Sequence, residues 1–186
     1  ELAIPNVKIA ISPFSADNPA AGLHRFSGFT VIVYALRPDS RGEIKLKSAD
    51  PAQHPSIAPR YLSAETDQRI TVEGLHLIRR LLGTRHFAGY NDSEYLPGAA
   101  VRTDDELLAY ARQYGGTVYH PTSTCRMGHD PMAVVDDQLR VHGMIGLRVV
   151  DAAIMPTVSS GNTNATVIMI AEKAVDMMLG RPALAA

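Results

Sequence analysis

Tyr119-His120-Pro121-Thr122-Ser123-Thr124-Cys125-Arg126-Met127-Gly128 is the stretch around which this chain is organised, and Ser159-Ser160-Gly161-Asn162-Thr163-Asn164 is its counterpart near the C-terminus. His120 precedes a proline, which disfavours the α region and holds its backbone extended, so the ring is presented from a stiff position. Imidazole is the default group for taking or returning a hydroxyl proton at neutral pH. A lone His-Pro more often has a purely structural role. Asn162 and Asn164 flank the first turn of an apolar helix, whose free amides and partial positive charge suit an anion or an electron-rich ring edge. An asparagine there also serves as an ordinary helix cap.

Working outward, Leu147-Arg148-Val149-Val150 reads as a buried strand that ends at Asp151. This is the position where open α/β sheets bind ligands, although Asp is also a common turn former. Ala133 to Asp136 and Leu139 to His142 read as short strands, with a turn over Gly143 to Gly146. Val167, Ile170, Ala171, Ala174, Val175 and Met178 fall on one helical face, which Gly180 and Pro182 terminate; the tail beyond should fray.

The N-terminal half reads as strands and two helices. Val7 to Ser12 is β-prone, Pro13 to Gly22 is a loop, and Phe29 to Leu36 is aromatic and β-branched, a strand buried on at least one face. Glu43 to Lys47 alternates polar and apolar, so it is expected to form an antiparallel ribbon with Phe29 to Leu36 across the Arg37 to Gly42 turn. Ser48 to Pro59 carries three prolines and is expected to be irregular. A helix starts near Ser63 to Asp67 and runs to Gly83, with His76 as a packed or surface histidine. Thr103-Asp104-Asp105-Glu106 forms a capping box for a second helix ending near Gln113.

Composition narrows the function. The 18 Lys and Arg nearly balance 19 Asp and Glu, leaving a formal charge of −1, so there is no basic field for nucleic acid. The longest apolar runs fall far short of the ~20 residues that span a bilayer. The single cysteine, Cys125, excludes an internal disulfide and a Cys-rich zinc site, and the spacing of His120, Cys125 and His129 matches no structural zinc pattern. There is no Gly-Xaa-Ser-Xaa-Gly elbow for a hydrolase.

The blocks from His120 to Gly128, with Val134-Val135-Asp136, Leu139 to Gly143, Leu147 to Ala152, Met155-Pro156 and Gly161 to Ala165, resemble the C-terminal part of the glucose-methanol-choline oxidoreductases. Leu36 to Gly42 and Ser48 to Pro51 resemble that family's substrate-domain segment. The resemblance implies an α+β and α/β organisation. Residues 1–114 would be a portion of a substrate domain with an antiparallel sheet and helices. Residues 115–186 would supply the C-terminal strands and helix of a Rossmann-like FAD-binding domain. It implies FAD as cofactor, an alcohol as substrate, His120 as the base and Asn162 as its hydrogen-bonding partner. Tyr119, Asp151, Ala152, Asn164, Ala165 and Thr166 are then expected against the cofactor, with no metal. Asn at 162 resembles the choline-type and aliphatic-alcohol branches.

Two departures stand out. Ser123 occupies a position where the family commonly has glycine, so the loop must tolerate a side chain. No Gly-Xaa-Gly-Xaa-Xaa-Gly fingerprint is present, which makes the chain read as a fragment or as one piece that needs a separate FAD-binding segment or chain. Two rivals accompany this reading: a hydroxynitrile lyase on the same fold, and a non-catalytic module packing on an FAD-binding chain.

Overall fold

A computed structural model describes residues 4–17 and 22–182. The start at Glu1, part of the Pro13 to Gly22 loop and the tail beyond Pro182 lie outside the described residues. The chain forms two compact units, one over Glu1–Ser40 and Tyr61–Gly116, the other over Arg41–Arg60 and Thr117–Ala186. The stretch 41–60 thus groups with the C-terminal residues.

In the first unit, β1 (Val7–Ser12) pairs antiparallel with β2 (Thr30–Ala35), Val7 opposite Ala35 and Ser12 opposite Thr30. Helix α1 (Glu65–Leu82) packs on β2, burying Ile70, Val72, Gly74 and Ile78. Glycine is required at 74, since an added Cβ would stand 2.6 Å from Cγ2 of Val33 on β2. Helix α2 (Asp104–Tyr114) has the expected capping box: Thr103 accepts from the Glu106 amide, and the Glu106 side chain accepts from the Thr103 amide. Leu107 is completely buried beneath it. His76 on α1 meets Asp104 at 2.8 Å, the surface role expected. Arg79 holds the irregular stretch after α1 through a bidentate pair with Glu94 at 3.1 and 3.0 Å.

The expected ribbon between Phe29 to Leu36 and Glu43 to Lys47 does not form. The amides of Asp39 and Ser40 donate to the buried Asp67 carboxylate at 2.8 and 2.7 Å, so the chain after Pro38 is tied to the start of α1 and does not fold back on β2. In the second unit, β3 (Glu43–Lys45) pairs with β4 (Ser56–Ala58), a short strand inside the segment expected to be irregular. Gly42 accommodates this ribbon's end, where a Cβ would lie 2.4 Å from the Ala58 carbonyl.

The second unit's core is Val135, Leu139, Ile154, Met155, Ile170 and Ala174, with Met127, Val149, Ala152, Val167 and Met177 packed around it. The three strands expected between Ala133 and Val150 are replaced by single bridges, Met127 with Val135, Val135 with Val141, and Arg140 with Arg148. Leu139, Gly143 and Gly146 all take positive φ, and these turns interrupt any ladder before it extends. Helix α3 (Asn164–Met178) ends at Leu179 with Gly180 in the left-handed region, as the sequence indicates. Its inward stripe differs from the expected one. Val167, Ile170, Ala174 and Met177 face the core, whereas Ala171, Val175 and Met178 are exposed. Ile168 and Met169 are also apolar and exposed, so hydrophobic spacing alone does not select one stripe.

Candidate active site

The His120 loop is laid against the segment before α3 by main-chain hydrogen bonds. The Cys125 amide donates to the Ala153 carbonyl at 3.0 Å, and the Met127 amide to the Ile154 carbonyl at 2.8 Å. Ser123 adds a weak side-chain bond to the Pro156 carbonyl at 3.4 Å. The loop's backbone is tightly curved, with Tyr119 at φ +59° and Ser123 at +72°. The second value is a glycine-type conformation carried by a serine, whose hydroxyl also meets that of Thr122 at 3.1 Å.

Through this docking, residues 42 positions apart in sequence meet: Nδ2 of Asn162 stands 2.8 Å from Nε2 of His120. The other ring nitrogen, Nδ1, is 3.0 Å from Oγ1 of Thr163. An amide NH2 only donates, so the tautomer that matches the Asn162 contact has Nε2 as acceptor and the ring proton on Nδ1, facing Thr163. The ring is half-buried, Asn162 is exposed, and Thr163 is buried at 7%. The site therefore presents a basic nitrogen and an amide side by side at an accessible edge, with the hydroxyl behind the ring.

Thr163 is absent from the residues singled out in the sequence. It is the residue immediately before α3, where threonine ordinarily caps, yet its side chain makes no capping bond. A hydroxyl at a helix start carries the same sequence signal for either role, so only geometry separates them. Because Thr163 turns to His120, the first-turn amides of α3 lack a side-chain cap from it. Asn164 and Ala165 are exposed there, and Thr166 is half-buried. This open helix start fits a group that accepts hydrogen bonds.

Asp151 does not end a strand; it caps the 3-10 turn Ala152–Ile154, with Oδ1 accepting from the Ala153 amide at 2.7 Å. That turn presents the Ala153 and Ile154 carbonyls to the His120 loop, linking Asp151 and Ala152 to the site through the backbone. The Tyr119 side chain is 83% exposed. Among the described residues no group of three His, Cys, Asp or Glu side chains gathers as a metal site, and no helix is long and apolar enough to cross a membrane.

Two neighbouring carboxylates are strongly perturbed. Arg140 bonds to the Asp136 side chain, and the Arg140 and Gln138 amides donate to it as well, holding its carboxyl down to about 2. The Arg126 guanidinium does the same for Asp130, also to about 2, through bonds of 2.7 and 2.6 Å. The first pair closes the stretch 136–140 and the second the stretch 126–130.

The mixed fold of small antiparallel ribbons and helices is one found in FAD-dependent oxidoreductases. The family model described as GMC oxidoreductase matches residues 38–171, and the chain belongs to that family, whose members are FAD-dependent. It is 45% identical over 180 residues to an oxygen-dependent choline dehydrogenase of Acinetobacter baumannii (strain AYE), covering 97% of this chain and 33% of the relative. The chain thus spans about a third of the length of the curated relatives it matches. Among solved structures, pyridoxine 4-oxidase from Mesorbium loti superposes with a TM-score of 0.85 at 29% identity, over 96% of this chain and 35% of that one. A fungal aryl-alcohol oxidase gives 0.73 at 33% identity, over 81% of this chain and 25% of that one.

Proposed function

We propose that this chain carries the proton-transfer half of an FAD-dependent active site that oxidises a primary or secondary alcohol to a carbonyl. The observation that carries the reading is the contact of His120 Nε2 with Asn162 Nδ2 at 2.8 Å, which sets a base and a hydrogen-bond donor around one point. An alcohol hydroxyl entering between the two takes the place of Asn162 at Nε2 and gives its proton to that nitrogen, while the Asn162 amide, released from the ring, donates to the same oxygen. Removing the O–H proton makes the carbinol hydrogen leave more readily as hydride, and a positioned base of this kind contributes roughly 10²- to 10⁴-fold. FAD, when bound, supplies the two-electron acceptor for that hydride.

Asn164, Ala165 and Thr166 would hold the electron-rich edge of the cofactor at the uncapped start of α3, where main-chain amides and the helix dipole favour negative charge. Asp151, Ala152 and Tyr119 would line the same cofactor. Within this reading, 1–114 serves substrate binding and 115–186 completes the cofactor domain, whose dinucleotide-binding part is supplied by the family's remaining sequence. The similarity to choline dehydrogenases, with asparagine at 162, makes a choline-type alcohol the first substrate to assay.

The test is anaerobic mixing of the FAD-loaded protein with choline and with simple aliphatic and aryl alcohols. Loss of the oxidised-flavin absorbance with formation of the aldehyde or ketone is the expected result. A flavin that stays oxidised with every alcohol, above all with release of a carbonyl and cyanide from a cyanohydrin, refutes it.

A further inference from the structure

We propose that Thr163 is a positioning residue for His120: its hydroxyl accepts the Nδ1 proton, fixes the ring's orientation and tautomer, and thereby leaves the Nε2 lone pair as the base. The inference deepens the reading of His120 as base and rests on it. Three observations support it together. Oγ1 of Thr163 is 3.0 Å from Nδ1 of His120. Thr163 is one of only two buried polar or charged residues among those described, the other being Asp67, and the ring bond is what satisfies its hydroxyl. The same hydroxyl forgoes the capping bond that its place at the start of α3 would otherwise favour.

Neutral imidazole has two tautomers, and the hydrogen bond made by one nitrogen decides which of them carries the proton. With Nδ1–H donated to Thr163, Nε2 is unprotonated, and Asn162 Nδ2 donates to it at 2.8 Å. Without the hydroxyl, the buried Nδ1 side loses its acceptor. The ring is then free to place its proton on Nε2 and turn Asn162 to accept it, a tautomer with no lone pair at the reacting edge. The Thr163 backbone also joins this restraint to the helix: its carbonyl accepts from the Val167 amide at 2.9 Å, so the hydroxyl is carried on the ordered start of α3.

The experiment uses the FAD-loaded flavoprotein labelled with 15N-histidine, His120 being assigned by the signal missing from His120→Gln. Wild type is expected to show a pyridine-type Nε2 and a protonated Nδ1. Thr163→Val, which keeps the shape and removes the hydroxyl, is expected to shift His120 toward the Nε2–H tautomer. It should slow flavin reduction about three- to tenfold, the rate equivalent of one lost hydrogen bond, with KM nearly unchanged. Thr163→Ser should restore both. The proposal is overturned by an Nε2–H tautomer in wild type, by a Thr163→Val protein with the wild-type tautomer, or by a Thr163→Ser protein no better than Thr163→Val. Reduction at the wild-type rate in His120→Gln would instead remove His120 as base, while the tautomer comparison would still decide whether Thr163 positions the ring.

Discussion

Replacing Asp67 with Asn changes one atom at the joint between the β2 turn and α1. The Asp67 carboxylate is 3% exposed and accepts from two main-chain amides, Asp39 at 2.8 Å and Ser40 at 2.7 Å, one on each oxygen. An asparagine offers one oxygen, so one amide loses its acceptor and faces an NH2 group. A hydrogen bond to a charged acceptor contributes about 1.5–3 kcal/mol, and a carboxylate in the first helical turn adds about 0.5 kcal/mol against the dipole. Relief from burying the charge offsets part of this, leaving a net cost of about 2 kcal/mol, or roughly 30-fold in the local opening equilibrium. Hydrogen exchange resolved at Asp39 and Ser40 reads this directly, and both amides should exchange tens of times faster in Asp67→Asn. Exchange within about threefold of wild type at both amides would show that the carboxylate does not tie the turn to α1, since one lost charge-assisted bond alone exceeds that factor.

Ser123→Val puts a β-branched side chain at φ +72° and removes the hydroxyl contacts, so it should destabilise by about 2 kcal/mol in urea unfolding, while Ser123→Gly stays within about 1 kcal/mol of wild type. Equal effects of the two would contradict the conformational argument. Asp136 has its carboxyl lowered from 3.8 to about 2, so what it contributes is present in full above pH 3.8 and is lost as pH falls toward about 2. Its carboxyl carbon should titrate near 2, with the Gln138 and Arg140 amides losing protection over the same interval; a midpoint near 3.8 would show that the Arg140 pair does not hold it.

Local features of this fold are legible in the sequence because their causes are local. The Thr103 and Glu106 capping box, the Gly83 stop and the αL glycine at 180 each act within a few residues, and each appears where the sequence places it. Pairing is not local. Nothing in Phe29 to Leu36 distinguishes β1 from Glu43 to Lys47 as a partner; the Asp67 carboxylate, 27 and 28 residues from the amides it binds, decides it. The inward stripe of α3 is hidden for another reason, because Ile168, Met169 and Val175 make the helix apolar on its outer side as well. At the site, the His120 and Asn162 pairing is implied only by the family resemblance that the motif blocks carry, whereas Thr163 is concealed by its position: a threonine before a helix reads as a cap until its hydroxyl is seen bonded to a ring nitrogen.

In the proposed reaction His120 takes the substrate proton. The most direct measurement is the rate of anaerobic flavin reduction by a saturating alcohol in the FAD-loaded protein, compared between wild type and His120→Ala with bound FAD shown to be equal. A loss on the order of 10²-fold or more is predicted. Reduction at the wild-type rate would contradict the account and leave the His120 and Asn162 pair without a role in the chemistry.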